Sequence, residues 1–420
     1  MDVLYYILTG TLILVSTPFL LLRSVLSSNF RNNIKAKLKG PNALPHLKKS
    51  LWIHASSVGE VRLAKTLITS LQENGETRPI VLSTFTPTGF DLAVEENLPH
   101  VFRLPFDFPL WLNPVFDRIK PSQLILIEAE LWPSLLRLCK KNNVPVLQVN
   151  GRVSEKSLER YRKFNSFFLW MTEAVTQFSM RSQKDAERLF ELGVSEEKIR
   201  VTGNIKFDTL PNGSDTRSSL VFNPDSFLIV FGSTRPGDEG PAMEAFIKLK
   251  KDFPNVLAVI APRHMQRCRE VEDLIREFND NYILYSETKE EDWVNKPCSI
   301  ILLDKIGALN SFYANAKLAY VGGGFNPRFG GQNILEPTAF GIPVMFGKHM
   351  SNFEEEARLL IKSGGGIQLQ KEEELYSVLK KFMLSPDLRQ KAGEAAAETV
   401  RQHRGAVLRT LKIIQETRPV

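Results

Sequence analysis

The chain has 420 residues, 43% hydrophobic and 24% charged, with a formal net charge of +7. That length exceeds one ordinary hydrophobic core and predicts two domains, and the composition excludes a disordered or fibrous chain. Cys139, Cys268 and Cys298 form no C-x-x-C pair and no zinc spacing, which predicts free thiols in a reducing compartment.

The first predicted element is VLYYILTGTLILVSTPFLLL, residues 3–22, which is uncharged. It is long enough to span a bilayer at about 1.5 Å per residue. A cleaved signal peptide is disfavoured, because Asp2 stands where basic residues belong and no A-x-A site follows. Thr9, Thr11, Ser16, Thr17 and Pro18 weaken the span, so a tilted or interfacial anchor is the competing reading. The stretch from Arg23 to Gly59 holds no acidic residue and carries Arg23, Arg31, Lys35, Lys37, Lys39, Lys48 and Lys49. By the positive-inside rule, this flank puts the bulk of the protein on the cytoplasmic side.

Beyond the anchor, short apolar runs alternate with helical patterns. Candidate strands are 51–55, 79–84, 123–127, 144–149 and 175–178. Residues 60–73 put Val61, Ala64, Leu67, Ile68 and Leu71 on one helical face. Residues 207–226, rich in Pro, Gly, Asn, Asp and Ser, read as an interdomain linker. A second series follows at 227–231, 256–261, 282–285, 299–303, 318–321 and 343–346, and residues 371–416 read as helical. This is an α/β pattern of two doubly wound, Rossmann-like parallel sheets, predicted to face each other across a cleft. The expected division is 1–24 anchor, 25–50 basic juxtamembrane segment, 51–206 first domain, 207–226 linker and 227–420 second domain.

The stretch WIHASSVGE, residues 52–60, admits two readings. Ser57 and Glu60 have the spacing of a capping box, S-x-x-E. Glu60 also lies at the carboxyl end of a strand, where open α/β sheets carry their active sites. The loops at 83–89, 128–133 and 150–157 carry further polar groups, Glu128 and Glu130 among them, expected on the same rim. A glutamate in the first turn of a helix is expected to stay ionised, since the helix dipole favours the carboxylate.

Residues 321–347, VGGGFNPRFGGQNILEPTAFGIPVMFG, run from a strand through two glycine clusters to a helix start near Ile334. Glycines without Cβ let a phosphate approach backbone N–H groups, and a helix N-terminus adds positive potential. Glu336 in the first turn has two oxygens suited to ribose hydroxyls. The order is not G-x-G-x-x-G, which argues against a dinucleotide enzyme. Arg263, after a strand, suits a phosphate, and Lys206 before the linker suits a leaving phosphate. Ser233, Thr234 and Gly237 form another strand-end turn. The aromatic-basic stretch 158–172 reads equally as a membrane-surface helix or as a helix burying its aromatics. No H-e-x-x-H and no G-x-S-x-G occurs.

HASSVGE, TPTG, LPFDFP, EAELWP, NGRVS, TGNIKFD, APRH and GGGFNPRFGGQNILEPTAFGIPVMFGKHMSNF occur in that order. Together they resemble the 3-deoxy-D-manno-octulosonic acid (Kdo) transferases of lipopolysaccharide synthesis. The resemblance implies a GT-B fold and an inverting, metal-independent transfer of Kdo from CMP-Kdo to a lipid A precursor, without cofactor. The partners it implies are donor, acceptor and inner membrane, and no nucleic acid. It matches Glu60 to the proton acceptor, and Glu130 and Lys206 to positions stabilising the transition state. It places CMP contacts on Pro262 and Arg263, on Gly307, Ala308 and Leu309, and on Asn333, Ile334, Leu335 and Glu336. DKIGALN departs from the family in having Ala308 where a glutamate is frequent, which excludes a side-chain contact there. The rival readings are a GT-B enzyme acting on a UDP-sugar and a non-catalytic nucleotide-binding module.

Overall fold

The computed structural model describes residues 1–39, 44–211, 220, 222–223, 225–278, 281–288 and 299–419. The strands of the first sheet are β1 (Ser50–His54), β2 (Ile80–Thr84), β3 (Val101–Arg103), β4 (Pro121–Ile127), β5 (Val146–Gly151), β6 (Gln177–Met180) and β7 (Ile199–Val201). Those of the second are β8 (Phe227–Thr234), β9 (Val256–Pro262), β10 (Tyr282–Leu284), β11 (Ile300–Leu302), β12 (Leu318–Val321), β13 (Val344–Gly347) and β14 (Gly366–Leu369). Their orders are β3-β2-β1-β4-β5-β6-β7 and β10-β11-β9-β8-β12-β13-β14, with every pairing parallel.

Helices cover both faces, as parallel strands require. β1 shows how: Leu51 and Ile53 pack with Val61, Ala64 and Leu67 of the helix Val58–Glu73, while Trp52 packs with Phe102 and Phe116 on the other face. The strands expected from apolar runs are present, with ends that differ by at most three residues. Three were not anticipated: β3, β7 and β14, which are short and sit at sheet edges. Three or four residues, partly exposed, carry too little hydrophobic pattern to register as strands.

Two compact units result, Met1–Thr209 with Arg404–Val420, and Leu210–His403. This corrects the expectation that the second domain runs to residue 420. The helix Ala406–Glu416 returns to the first unit, burying Val407, Leu411 and Ile414 with Leu67 and Leu71. Asp208 receives the N–H groups of Gly405 at 2.6 Å and Val407 at 2.7 Å, so it caps that helix across the sequence. Of the expected linker, Phe207–Thr209 belong to the first unit, and 212–219, 221 and 224 lie outside the described residues. Cys139 and Cys268 are free thiols; Cys298 also lies outside the described residues.

The N-terminal segment forms two helices, Asp2–Leu26 and Ser28–Lys39, broken at Ser27, whose backbone is extended. The first is apolar and long enough to cross a membrane. Asp2 pairs with Arg137 and accepts from the Trp170 indole, both at 2.7 Å. Tyr5 packs on Phe167 and Trp170. The second helix returns to the same unit, where Asn33 accepts from Arg103 at 2.8 Å. Of the stretch 158–172, Phe168 is buried in the core and Phe167 and Trp170 form a seat for Tyr5, while Phe164 is exposed.

Candidate active site

In the first sheet the chain winds outward from β1 to β3 and then crosses back to β4, so the topological switch point lies between β1 and β4. Ligands of doubly wound sheets bind outside the carboxyl ends of the strands at such a point. Glu60 follows β1 and Glu130 follows β4, so the two carboxylates flank it. The polar ends of β2 and β5 lie on the same edge, as expected for parallel neighbours.

Glu60 occupies the first turn of the helix Val58–Glu73 and is 8% exposed. Its Oε2 receives the Ser56 N–H and its Oε1 the Ser57 hydroxyl, each at 2.8 Å. Neither reciprocal bond of a capping box is made, because Glu60 takes the Ser56 N–H and not that of the N-cap Ser57, and the Ser57 side chain accepts nothing from the helix. Burial, and next the charge of Glu130, pushes the Glu60 carboxyl up to about 7; Glu128 adds to this, and the two hydrogen bonds oppose it. This overturns the expectation of a carboxylate kept firmly ionised by the helix dipole. Desolvation outweighs a dipole worth less than about 1 kcal/mol at an ordinary surface site. A base with a pKa near neutrality is better matched to proton abstraction than one near 4.

The helix Pro87–Glu95 closes over this turn. Thr86 donates its hydroxyl to the Ser56 carbonyl at 2.8 Å and caps the helix at Gly89 N. A Cβ on Gly89 would stand 2.9 Å from Thr86 Oγ1 and 3.1 Å from the Ser56 carbonyl, so the TPTG glycine permits this approach.

Glu130 is held from the side. The Trp132 indole donates to its Oε2 at 2.9 Å, and His54 Nε2 lies 3.7 Å from the same oxygen. Trp132 also packs on Phe85, whose ring lies 3.1 Å below the Lys37 ammonium. Burial, and then the neighbouring Arg103, lowers Lys37 to about 8. The basic N-terminal segment therefore reaches within two aromatic rings of Glu130, a contact with no local sequence signal. Asp107 of LPFDFP accepts from the N–H groups of Ser134 and Leu135, each at 2.9 Å, and so caps the helix that follows Glu130. Burial pushes this carboxyl up to about 6.

Lys206 sits in the 3-10 turn Ile205–Phe207. Its charge faces Glu128, at 3.7 Å from Oε1. Glu128 lies just past β4 with φ of 59°, a strained left-handed conformation for a non-glycine residue. Asn150, at the end of β5, receives the Ile205 N–H at 2.9 Å and donates to Glu128 at 3.4 Å. Glu128 and Glu130 thus have different partners, Lys206 for the first and Trp132 with His54 for the second. Alternation along a strand did not distinguish them, because β4 ends at Ile127.

The second unit has its switch point between β8 and β12. Here several of the glycines serve close packing within the unit. Gly324 packs on Gly347, and a Cβ on Gly324 would stand 2.6 Å from the Gly347 nitrogen. Gly330 packs against Ser351 and Asn352, and Gly331 against Met350. The Gly323 N–H is taken by Asp238, which also accepts from Arg235 N and Tyr320 Oη, all at 2.7 Å. At Gly324, Gly330 and Gly331 the missing Cβ lets neighbouring segments of the chain approach closely, while Gly323 lines a cavity with Gly237, Asp238 and Phe329. The helix expected near Ile334 is a single turn, Leu335–Thr338, too short for an appreciable dipole. Just before it, Asn333 donates to Glu336 at 3.1 Å and accepts from the Leu335 N–H at 3.2 Å.

Pro262 ends β9, and the N–H of exposed Arg263 is held by the Thr234 carbonyl at 3.0 Å. Arg235, which sequence reasoning passed over within GSTRPG, stands beside His264 and over the Phe329 ring. Burial, and then Arg263 and Arg267, lowers its proton affinity, the signature of cations gathered at one edge. Gly307 is exposed with φ of 96°, and Ala308 and Leu309 open the short helix Leu309–Tyr313. No group of three His, Cys, Asp or Glu side chains placed to hold a metal ion occurs among the described residues.

A family model described as 3-Deoxy-D-manno-octulosonic-acid transferase (kdotransferase) matches residues 31–209. The chain is 30% identical over 418 residues to the 3-deoxy-D-manno-octulosonic acid transferase of Haemophilus influenzae, covering 96% of this chain and 97% of that one. It is 34% identical over 339 residues to a bifunctional glycosyltransferase/methyltransferase of Fusobacterium nucleatum, spanning 79% of this chain and 52% of that protein. Among solved structures, a UDP-GlcNAc 2-epimerase from Neisseria meningitidis superposes with a TM-score of 0.60 at 12% identity, over 86% of this chain and 100% of that one. A glycosyltransferase from Rickettsia africae superposes with a TM-score of 0.58 at 16% identity, over 88% and 98%. At such identities the likeness shows the fold, two Rossmann-like sheets of the GT-B type.

Proposed function

This chain belongs to the 3-deoxy-D-manno-octulosonic acid transferases, and we propose that it moves Kdo from CMP-Kdo to a lipid A precursor, lipid IVA, in lipopolysaccharide synthesis. The observation that carries this reading is Glu60. It is a buried carboxylate at a switch point, brought to about 7 by burial and by Glu130. In the proposed step Glu60 takes the proton of an acceptor hydroxyl as its oxygen attacks the anomeric carbon of Kdo. The bond to the CMP phosphate breaks with inversion, and the electron pair leaves on the phosphate oxygen. Glu130 and Lys206 stabilise charge developing near the anomeric carbon. Arg263 and Pro262, the turn Gly307–Ala308–Leu309 and the turn Asn333–Ile334–Leu335–Glu336 bind CMP, with Glu336 on the ribose. No metal is assigned to the step.

The test is mass spectrometry of lipid IVA after incubation with CMP-Kdo and the protein. A mass increase of one or more Kdo units is expected, undiminished by EDTA; unaltered lipid IVA overturns the assignment. A UDP-sugar enzyme of the same fold is separated by thermal shift, because only the matching nucleotide raises the melting temperature.

We infer further that the helix Asp2–Leu26 anchors the protein at the inner membrane with both units on the cytoplasmic side. The form of anchoring follows from its contacts. Asp2, Tyr5 and Tyr6 touch the first unit, and so does the following helix through Asn33. Residues 11–26 are left, about 24 Å of helix against about 30 Å of hydrocarbon. An interfacial, dipping anchor fits these contacts better than a crossing.

A further inference from the structure

The sheet interior beneath Glu130 contains a polar chain that the proposed reaction does not use. The Trp52 indole N–H lies 2.8 Å from Ser83 Oγ, and Ser83 Oγ lies 2.8 Å from His54 Nδ1. Trp52, His54 and Ser83 are all fully buried. The other ring nitrogen, His54 Nε2, has no hydrogen-bond partner among the described residues and stands 3.7 Å from Glu130 Oε2.

Donor and acceptor counting sets the direction of this chain. An indole N–H only donates, so Ser83 Oγ accepts from Trp52. Ser83 has one hydrogen to give, and its neighbouring acceptor is His54 Nδ1. A hydrogen on Nδ1 would leave the buried Ser83 hydrogen without that acceptor. It would also turn the Nε2 lone pair toward a carboxylate oxygen. Both faults vanish when Nδ1 is the bare nitrogen and Nε2 carries the hydrogen.

We propose that His54 is a positioning residue for Glu130, with Trp52 and Ser83 fixing the tautomer that points Nε2–H at the carboxylate. The Nε2–H and the Trp132 indole converge on the same oxygen, Oε2. A shift of Glu130 by under about 1 Å closes the 3.7 Å gap to hydrogen-bond length. Two donors on one oxygen fix the orientation of the Glu130 carboxylate at the site. The anion in turn supports the high proton affinity of Glu60. The groups facing Glu60 from its surroundings are Glu130 and Glu128, the latter paired with Lys206. This inference rests on the role given to Glu130 above, but the tautomer does not.

The tautomer is read directly by nitrogen–proton multiple-bond NMR of the full chain labelled at histidine, at a pH where the ring is neutral. An Nε2–H pattern for the signal that disappears in His54→Gln is expected. An Nδ1–H pattern overturns the proposal. The positioning role is read by kinetics. The Gln side-chain amide places a donor where Nε2–H stood, whereas Asn and Phe do not. His54→Asn and His54→Phe should each lower kcat on the order of 100-fold with little change in KM for CMP-Kdo. His54→Gln should retain most of the activity, and the acid limb of the rate profile should move down in the Asn variant. If His54 serves only to fill space, the Phe variant works as well as the Gln variant, and the proposal fails. If the tautomer is Nε2–H yet Glu130→Gln leaves transfer intact, the role of Glu130 fails instead.

Discussion

Glu60 and Glu130 stand at the carboxyl ends of the neighbouring strands β1 and β4, and the charge of Glu130 is, after burial, the main reason that Glu60 keeps its proton up to about 7. One carboxylate thereby tunes the other, with environment separating their roles.

The first consequence concerns rate. With Glu60 as the base, transfer rises with pH through about 7 and levels off above it. Glu130→Gln removes the neighbouring charge, so the acid limb moves to lower pH while the maximum rate falls. Steady-state assays between pH 5 and pH 9 check this, and a limb that stays in place removes Glu130 as the cause.

The second consequence concerns stability. The folded pKa of Glu60 lies above its ordinary 4.5, so the folded state holds the proton more tightly. The resulting stability is complete below about 4.5 and is lost as pH rises through about 7. Glu60→Gln keeps the shape without the charge. It should abolish transfer and raise the melting temperature relative to the native protein at pH 8, with a smaller gain at pH 5. Substantial turnover together with a stability loss of about 1 kcal/mol or more would instead mark Glu60 as a helix cap.

Gly324→Ala separates two roles for the glycine segment. Its Cβ would meet backbone atoms of Gly347 at 2.6 to 3.1 Å. The expected result is a loss of about 1–3 kcal/mol in urea unfolding, with residual CMP affinity tracking the folded fraction. Lost CMP binding at unchanged stability would instead assign the segment to the phosphate.

Glu336→Ala should weaken CMP binding in calorimetry with little change in melting temperature, since its carboxylate lies in a one-turn helix and accepts from Asn333. Unchanged affinity would end its assignment to the ribose.

Asp208→Ala removes the cap from the helix Ala406–Glu416. A loss of about 1–2 kcal/mol is expected on urea unfolding. Turnover should also fall, because Asp208 follows the turn that carries Lys206.

Much of this was legible in the chain itself. Apolar runs such as LWI and LILI, bounded by polar turns, announce buried parallel strands, and their period requires no knowledge of distant residues. The order of β1, β2, β4 and β5 on one edge follows from winding rules, so the shared rim of polar loops was foreseeable. Glu60, Glu130 and Lys206 were marked by local motifs.

Other features depend on residues far apart in sequence. His54 looks like any strand residue until Ser83 and Glu130 are placed beside it. Glu128 and Glu130 look equivalent until the left-handed turn at Glu128 sends them to different partners. The glycines of residues 322–331 suit a phosphate as well as a protein backbone; their packing against Gly347, Met350 and Asp238 is invisible until the fold brings those residues together. The last helix was assigned to the wrong unit because its cap, Asp208, lies nearly two hundred positions earlier. The sequence determined which segments fold and where polar ends gather, since periodicity and turn chemistry are local. Tertiary structure alone decided which charges are buried, who faces whom and hence the proton affinity of Glu60, because desolvation and Coulomb coupling act through space.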